Sequence, residues 1–153
     1  MKEQIERKIA GRQNCPSHYP VCTHTECPLA GKCLRGIQYQ AHAGDTYLTQ
    51  INERLPHTVG DGCPYFRSSE PQRFALGCKP SYEAIYPESL RMEFRRQCMR
   101  QLHLSRSAFY YLMDGTSVIT PHDQQKMLSI ARDLGIRCFT ETAFEHTFLA
   151  PDW

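Results

Sequence analysis

The stretch Cys22-Thr-His-Thr-Glu-Cys27-Pro-Leu-Ala-Gly-Lys-Cys33 and the later turn Gly62-Cys63-Pro64-Tyr65-Phe66 decide the fold of the first half of this chain. Three thiols lie within twelve residues, and a fourth follows on a Gly-Cys-Pro turn. The gaps between neighbouring cysteines are of loop-closing length, and Pro28 and Gly31 supply turn residues inside the second gap. This spacing is typical of thiolate ligands, whose sulfurs must converge about 2.3 Å from a metal ion.

The sequence therefore predicts a metal site with four thiolate ligands: Cys22, Cys27, Cys33 and Cys63. Zinc is the expected ion, because structural zinc sites tolerate irregular loops, and a 4Fe–4S cluster is the alternative. His18 and His24 are substitute ligands in case one cysteine is not used. The competing interpretation is a set of partly buried thiols that bind no metal. The remaining cysteines are interpreted as bystanders: Cys15, Cys78, Cys98 and Cys138.

Composition excludes some classes of protein. The chain has 153 residues, of which 41% are hydrophobic, and no apolar run is long enough to cross a bilayer. Its first ten residues are charged and lack the apolar stretch of a secretory signal, so a cytoplasmic location is expected. Reducing conditions there disfavour disulfides, which favours metal ligands among the eight cysteines. The net charge of +2 predicts no partner by itself.

The patterning predicts an α+β fold in two parts, a Cys-rich module over residues 1–70 and a helical domain with an extended tail over 71–153. In the first part, residues 1–12 read as a short amphipathic helix. The alternation of 47–52 predicts a strand, which pairs with 37–42 as a small β-hairpin.

The second part is dominated by three predicted helices. Glu88 to Leu102 places an apolar residue on one face at every fourth position. Ser105 is a good N-cap for a second helix that ends before Gly115. Thr120 and Pro121 begin a third helix, which ends at Gly135.

The stretch from Met99 to Ile136 resembles the lambda-repressor type of helix-turn-helix. The matching residues are Leu104, Ser105, Phe109, Leu112, Gly115, Pro121, Ala131, Leu134 and Gly135. The chain departs from that pattern at Met99, where a small residue is expected, and at His103, where the turn usually has glycine. Pro87 also interrupts the segment that would supply a full first helix.

The resemblance implies binding to double-stranded DNA, with the second helix of the motif reading base edges while neighbouring cations contact phosphates. The residues assigned to this interface are Arg95, Arg96, Arg100, Arg106, Ser107 and Tyr110. The competing interpretation is a solvated helix face whose aromatic residues only pack the core. Paired half-sites would call for a homodimer.

Two further resemblances cover only a few residues, and a third covers the whole chain but implies no known activity. Cys27 to Cys33 resembles both the last cysteine pair of the endonuclease III-type glycosylase cluster and the middle of a CCCH zinc finger. The whole chain resembles an uncharacterised family of small bacterial proteins, through the knuckle, the Cys-Pro-Tyr-Phe-Arg stretch at 63–67 and the Thr-Pro-x-Asp-Gln stretch at 120–124.

The resulting expectation is a metal-stabilised, DNA-binding protein with a role in transcription regulation. The sequence has neither a phosphate-cradling glycine loop nor a His-Glu-x-x-His motif, and no carboxylate or Cys–His pair is picked out, so we expect no enzyme activity. A protein-interaction adaptor and an iron–sulfur redox sensor are the alternative functions.

Overall fold

The computed structural model describes residues 2–42, 44, 48–51 and 62–153, and within them the fold is α+β. These residues form six α-helices: α1 Lys2–Gln13, α2 Leu34–Ala41, α3 Lys79–Glu83, α4 Glu88–Gln101, α5 Arg106–Met113 and α6 Pro121–Asp133. They also form three strands: β1 Gln72–Leu76, β2 Val118–Ile119 and β3 Phe148–Ala150. The chain divides into two compact units, Glu6–Gln72 with Ala150–Trp153, and Arg73–Leu149 with the start of α1.

The three helices predicted for the second half are confirmed, and their caps explain their boundaries. The Ser105 hydroxyl accepts the N–H of Ala108 at 3.1 Å at the start of α5. The Thr120 hydroxyl accepts the N–H of Asp123 at 3.1 Å at the start of α6. Each cap satisfies one of the N–H groups that the first turn of a helix leaves without an intrahelical partner. Pro87 does not interrupt a helix, because it lies at the N-cap position of α4.

The turn after α4 uses a histidine where glycine is the usual residue. His103 has a φ of 54°, in the left-handed region, and the Leu104 N–H donates to the Met99 carbonyl at 2.9 Å. This bond closes a Schellman-type helix end. α6 ends in the same way at Gly135, whose φ is 71°. His103 therefore adopts the left-handed conformation that glycine usually supplies at a helix end.

The sheet lies in the second unit and has the strand order β2-β1-β3. β1 pairs antiparallel with β2 through Ala75 opposite Ile119 and Leu76 opposite Val118. The buried Gln124 side chain attaches α6 to this sheet, because its amide donates to the Arg73 carbonyl at 2.9 Å and to the Ile119 carbonyl at 3.2 Å.

The core of the second unit forms where α4, α5 and α6 pack against one another and against β1. Its largest fully buried side chains include Phe94, Phe109 and Met127. Cys78 and Cys98 are also fully buried, as expected of bystander thiols that act as small hydrophobes. Burial raises the pKa of Cys78 to about 12 and also raises the pKa of Cys98.

The predicted hairpin of the first part is wrong. Residues 37–42, expected to be a strand, lie in α2 and the turn that follows it. Of the predicted strand 47–52, the described residues contribute a single parallel bridge between Gln50 and Val21, while residues 47 and 52 lie outside the described part. The helix predicted for residues 1–12 is present as α1.

Strand β1 was not predicted; residues 72–76 come directly after the expected boundary between the two parts. Phe74, Ala75 and Leu76 are all buried, so the segment lacks the alternation of buried and exposed residues that marks a half-exposed strand. The tail from Cys138 contains a short 3₁₀ turn and then β3, in agreement with an extended segment that packs back on the body. None of the described helices is both long and apolar enough to span a bilayer.

Replacing His103 with glycine is expected to stabilise the protein by about 1 kcal/mol, because a left-handed conformation is strained for a residue with a Cβ. Urea unfolding measures the change, which corresponds to a rise in Tm of about 2–4 °C for a chain of this size. His103→Ala is the control, since alanine keeps the Cβ. An equal gain in both variants would contradict the explanation.

Candidate functional site

All four predicted metal ligands line one cavity in the first unit. The cavity has a volume of about 30 Å³, and its walls include Cys22, Cys27, Cys33, Cys63 and one further donor, His24. His18, the other histidine considered as a substitute ligand, lines a different cavity beside Cys15. The structure therefore brings the predicted cysteines to one place and separates the two histidines.

The local backbone explains how one short segment supplies several donors. From Cys22 to His24 the chain belongs to no helix, and Cys22 and His24 line the cavity while Thr23 does not. A turn follows, in which the Cys27 N–H donates to the His24 carbonyl at 3.2 Å. The Cys27 carbonyl in turn accepts the Ala30 N–H at 2.9 Å at the start of a 3₁₀ turn. Cys33 comes next, at the N-cap position of α2.

Arg35 joins the three chain segments that wall the cavity. Its guanidinium donates through Nη1 to the Pro20 carbonyl at 2.7 Å and through Nε to the Tyr65 carbonyl at 3.0 Å. Its own backbone carbonyl accepts the Cys22 N–H at 3.2 Å. A single planar cation therefore connects the segment before Cys22 with the segment after Cys63.

Further backbone bonds hold Cys33 in place from the other side. The Leu34 N–H donates to the Arg67 carbonyl at 2.8 Å, and the Ser69 N–H donates to the Lys32 carbonyl at 2.9 Å. Cys33 itself forms an antiparallel bridge with Ser68. The segment that carries Cys63 is thus paired with the segment that carries Cys33 by main-chain bonds.

The donor atoms share a cavity without forming a ligand set as they stand. Within the described ranges, no three side chains of Cys, His, Asp or Glu are grouped closely enough to hold a metal ion. Neutral thiols have no electrostatic reason to converge, since ligand geometry forms as the thiols lose their protons to the ion. Grouping the donors requires side-chain rotation within a cavity whose backbone walls are already in place.

A second candidate site is the exposed face of α5 in the other unit. Arg106, Ser107 and Tyr110 are exposed there, as the helix-turn-helix resemblance implied. Tyr111 lies on the same face and is 50% exposed, but the sequence analysis did not assign it to the interface. The opposite face of α5 is buried in the core, so the exposed side chains are held on a fixed helix.

The arginines of α4 are engaged within the protein itself. Arg96 forms a two-pronged ion pair with Glu93, with nitrogen–oxygen distances of 2.7 and 2.6 Å. Hydrogen bonds from Arg96 and Gln97 hold the pKa of Glu93 at about 2. Arg100 donates to the Gln97 side-chain oxygen at 2.8 Å. The ion pair with Glu93 reduces the positive charge that α4 offers to an external anion, whereas the bond to Gln97 orients Arg100 and leaves its charge unchanged.

Arg95 is used differently, because it bridges α4 and α5. Its guanidinium donates to the Tyr110 hydroxyl at 2.9 Å, and this hydrogen bond lowers the pKa of Tyr110. Two residues assigned separately to a nucleic-acid interface therefore form one contact, which orients the tyrosine on the surface of α5.

Sequence reasoning missed Arg35 and gave His24 only a secondary role. Arg35 stands two residues after Cys33, but its hydrogen-bond acceptors are backbone carbonyls, which leave no mark in the sequence. Cys22 and His24 are two positions apart, and alternate residues of an extended segment face the same side. This spacing is the sequence signal that could have identified His24 as a partner of Cys22.

The chain belongs to DUF6078, a family of unknown function, whose model matches residues 1–148. This agrees with the resemblance to an uncharacterised family. Neither a curated protein nor a solved structure matches the chain.

Gly36→Ala is expected to destabilise the first unit by about 1–3 kcal/mol, although alanine favours helices. A Cβ at position 36 would lie 2.7 Å from the Ala30 carbonyl oxygen, so the backbone beside the cavity must shift. Urea unfolding measures the loss. Gly31→Ala is the matched control, because a Cβ there meets nothing within 4 Å. Equal stability of the two variants would show that α2 does not pack tightly on Ala30.

Proposed function

We propose that this protein is a zinc-stabilised, DNA-binding protein with a role in transcription regulation. The observation that carries the metal part is the common cavity of Cys22, Cys27, Cys33 and Cys63. Organic ligands occupy sites of about 300–1,000 Å³, whereas this cavity has about 30 Å³. Such a volume is too small for an organic ligand, and zinc is preferred over a 4Fe–4S cluster because structural zinc sites tolerate irregular loops.

The metal is proposed to have a structural role. The segments that carry the cysteines are irregular between α1 and α2, and few of the described residues of this unit are buried hydrophobics. A structural zinc site contributes folding free energy directly, which compensates for a small core. Thiolate ligands also suit a reducing compartment, so a cytoplasmic location is part of the proposal.

The exposed face of α5 supports the DNA-binding part. A reading helix needs short polar, aromatic or cationic side chains on one exposed face and a buried opposite face. Arg106, Ser107 and Tyr110 meet the first condition, and Phe109 and Leu112 meet the second. A homodimer on paired half-sites remains part of the proposal.

One observation favours a protein-interaction adaptor as the second candidate. Met92 on α4 is 51% exposed, and Tyr111 on α5 is 50% exposed, so both offer apolar area to a protein partner. Contact with protein through such side chains depends little on salt, whereas phosphate contacts weaken steeply as salt rises. The salt dependence of binding therefore distinguishes the two functions.

Cys27→Ser is expected to lower both the zinc content and the thermal stability of the purified protein. Elemental analysis should give about one zinc per chain for the wild type and clearly less for the variant. Cys138→Ser is the control, because Cys138 is exposed and does not line the cavity. Full zinc content and an unchanged Tm in Cys27→Ser would show that Cys27 is not a ligand.

Arg106→Ala is expected to weaken binding to duplex DNA at least about five-fold, equivalent to about 1 kcal/mol. Glu93→Gln should strengthen binding by up to about five-fold, because it releases Arg96 from its ion pair. Arg96→Ala should weaken binding less than Arg106→Ala, since Arg96 is already paired with Glu93. Fluorescence anisotropy over a series of salt concentrations provides the measurement.

Arg132→Ala is the matched control for this series, because it removes one exposed positive charge from α6 and leaves α4 and α5 intact. An equal loss of affinity in Arg132→Ala and Arg106→Ala would reject the assignment of the interface to α5. Binding to protein partners, without binding to duplex DNA even at low salt, would favour the adaptor function.

A further inference from the structure

We propose that His24 is a native metal ligand, so that Cys22, His24, Cys27 and Cys33 form a complete four-donor set and Cys63 is an exchangeable fifth donor. This inference rests on the metal site proposed above and changes its ligand set. The starting observation is that five residues with donor side chains line the cavity. A structural zinc ion takes four ligands, so one of the five is in excess.

Position along the chain identifies Cys63 as the donor in excess. The other four lie within the twelve residues from Cys22 to Cys33, whereas Cys63 follows Cys33 by thirty residues. The entropy cost of bringing ligands together rises with the length of the intervening loop. While the chain is unfolded, a set drawn from the short segment therefore closes around an ion at a lower entropy cost than a set that needs Cys63, so the four near donors can bind the ion before main-chain bonds bring the segment of Cys63 to the cavity.

Backbone bonds fix the four near donors relative to one another. The Cys27 N–H donates to the His24 carbonyl at 3.2 Å, and the Cys33 N–H donates to the Ala30 carbonyl at 3.4 Å. The Ala30 N–H donates to the Cys27 carbonyl at 2.9 Å and completes the series. One turn thus separates His24 from Cys27, two consecutive turns separate Cys27 from Cys33, and Cys22 is held by its bond to the Arg35 carbonyl.

The charge of the cavity favours the same set. Zn²⁺ with three thiolates and one neutral imidazole carries a net charge of −1, and four thiolates give −2. The guanidinium of Arg35 lies in the cavity wall and contributes +1. The set with His24 is therefore neutral together with Arg35, whereas the four-cysteine set leaves one uncompensated negative charge in a small, partly buried site. Burial of an unpaired charge is unfavourable, so the neutral combination is preferred.

Cobalt substitution tests the inference, because Co²⁺ takes zinc sites and each thiolate ligand adds to its near-ultraviolet charge-transfer band. Cys63→Ser should bind one Co²⁺ with the wild-type band intensity, which corresponds to three thiolates. His24→Ala should still bind Co²⁺, but with a stronger band, because Cys63 enters as the fourth thiolate. The double variant should bind Co²⁺ more weakly than either single variant, by at least ten-fold.

Matched controls are available for both side chains. Cys138→Ser removes an exposed thiol, and His18→Ala removes a histidine that does not line the cavity. Both controls should give the wild-type spectrum and the wild-type Co²⁺ affinity. In zinc-loaded wild-type protein, iodoacetamide should modify Cys63 faster than Cys27 or Cys33, as read by peptide mass spectrometry.

The outcomes separate the two proposals. No binding of Co²⁺ or zinc by the wild type would overturn the metal site itself. Binding by the wild type with a weaker charge-transfer band in Cys63→Ser would leave the site intact and overturn the role of His24. An unchanged Co²⁺ spectrum in His24→Ala would also leave the metal site intact and overturn the role of His24. Protection of Cys63 equal to that of Cys27 in the zinc-loaded wild type would count against the inference without any variant that could misfold.

Discussion

The guanidinium of Arg35 is the contact on which the cysteine cavity depends. It donates to the carbonyl oxygens of Pro20, in the segment before Cys22, and of Tyr65, in the segment after Cys63. Without it, two partly buried carbonyls would lose a charged donor, and the segment of Cys63 would lose one of its attachments to the segment of Cys22. The same side chain also supplies the positive charge that an anionic thiolate complex needs nearby.

The two units use different means to fix their functional side chains. In the first unit, main-chain bonds and one arginine shape a small cavity in irregular chain, and the proposed ion completes it. In the second unit, a packed core of α4, α5 and α6 holds the exposed face of α5, and Arg95 orients Tyr110. Gln124 of the Thr-Pro-x-Asp-Gln stretch joins α6 to the sheet, and Thr120 of the same stretch caps α6. That stretch therefore has a structural explanation in this unit.

Local signals made the second unit predictable and the first unit only partly so. Ser105, Thr120 and Gly135 mark helix ends through contacts within a few residues, and the structure confirms the helices they bound. The hairpin failed because α2 depends on a tertiary contact, the close approach of Gly36 to Ala30, which no local pattern encodes. The four cysteines line one cavity, a shared location that their spacing suggested, whereas the hydrogen bonds of Arg35 go to backbone acceptors and could not be read from the sequence.

The fully buried thiols of Cys78 and Cys98 can report how often the core of the second unit opens. Only the thiolate form of a cysteine attacks a thiol reagent. These two sulfurs are exposed neither to solvent nor to a reagent while α4 and β1 stay packed. Their modification can proceed only in molecules whose interior has opened, so the labelling rate of native protein reports breathing of this core. The labelling rates of these two cysteines therefore measure how often the core around each of them opens.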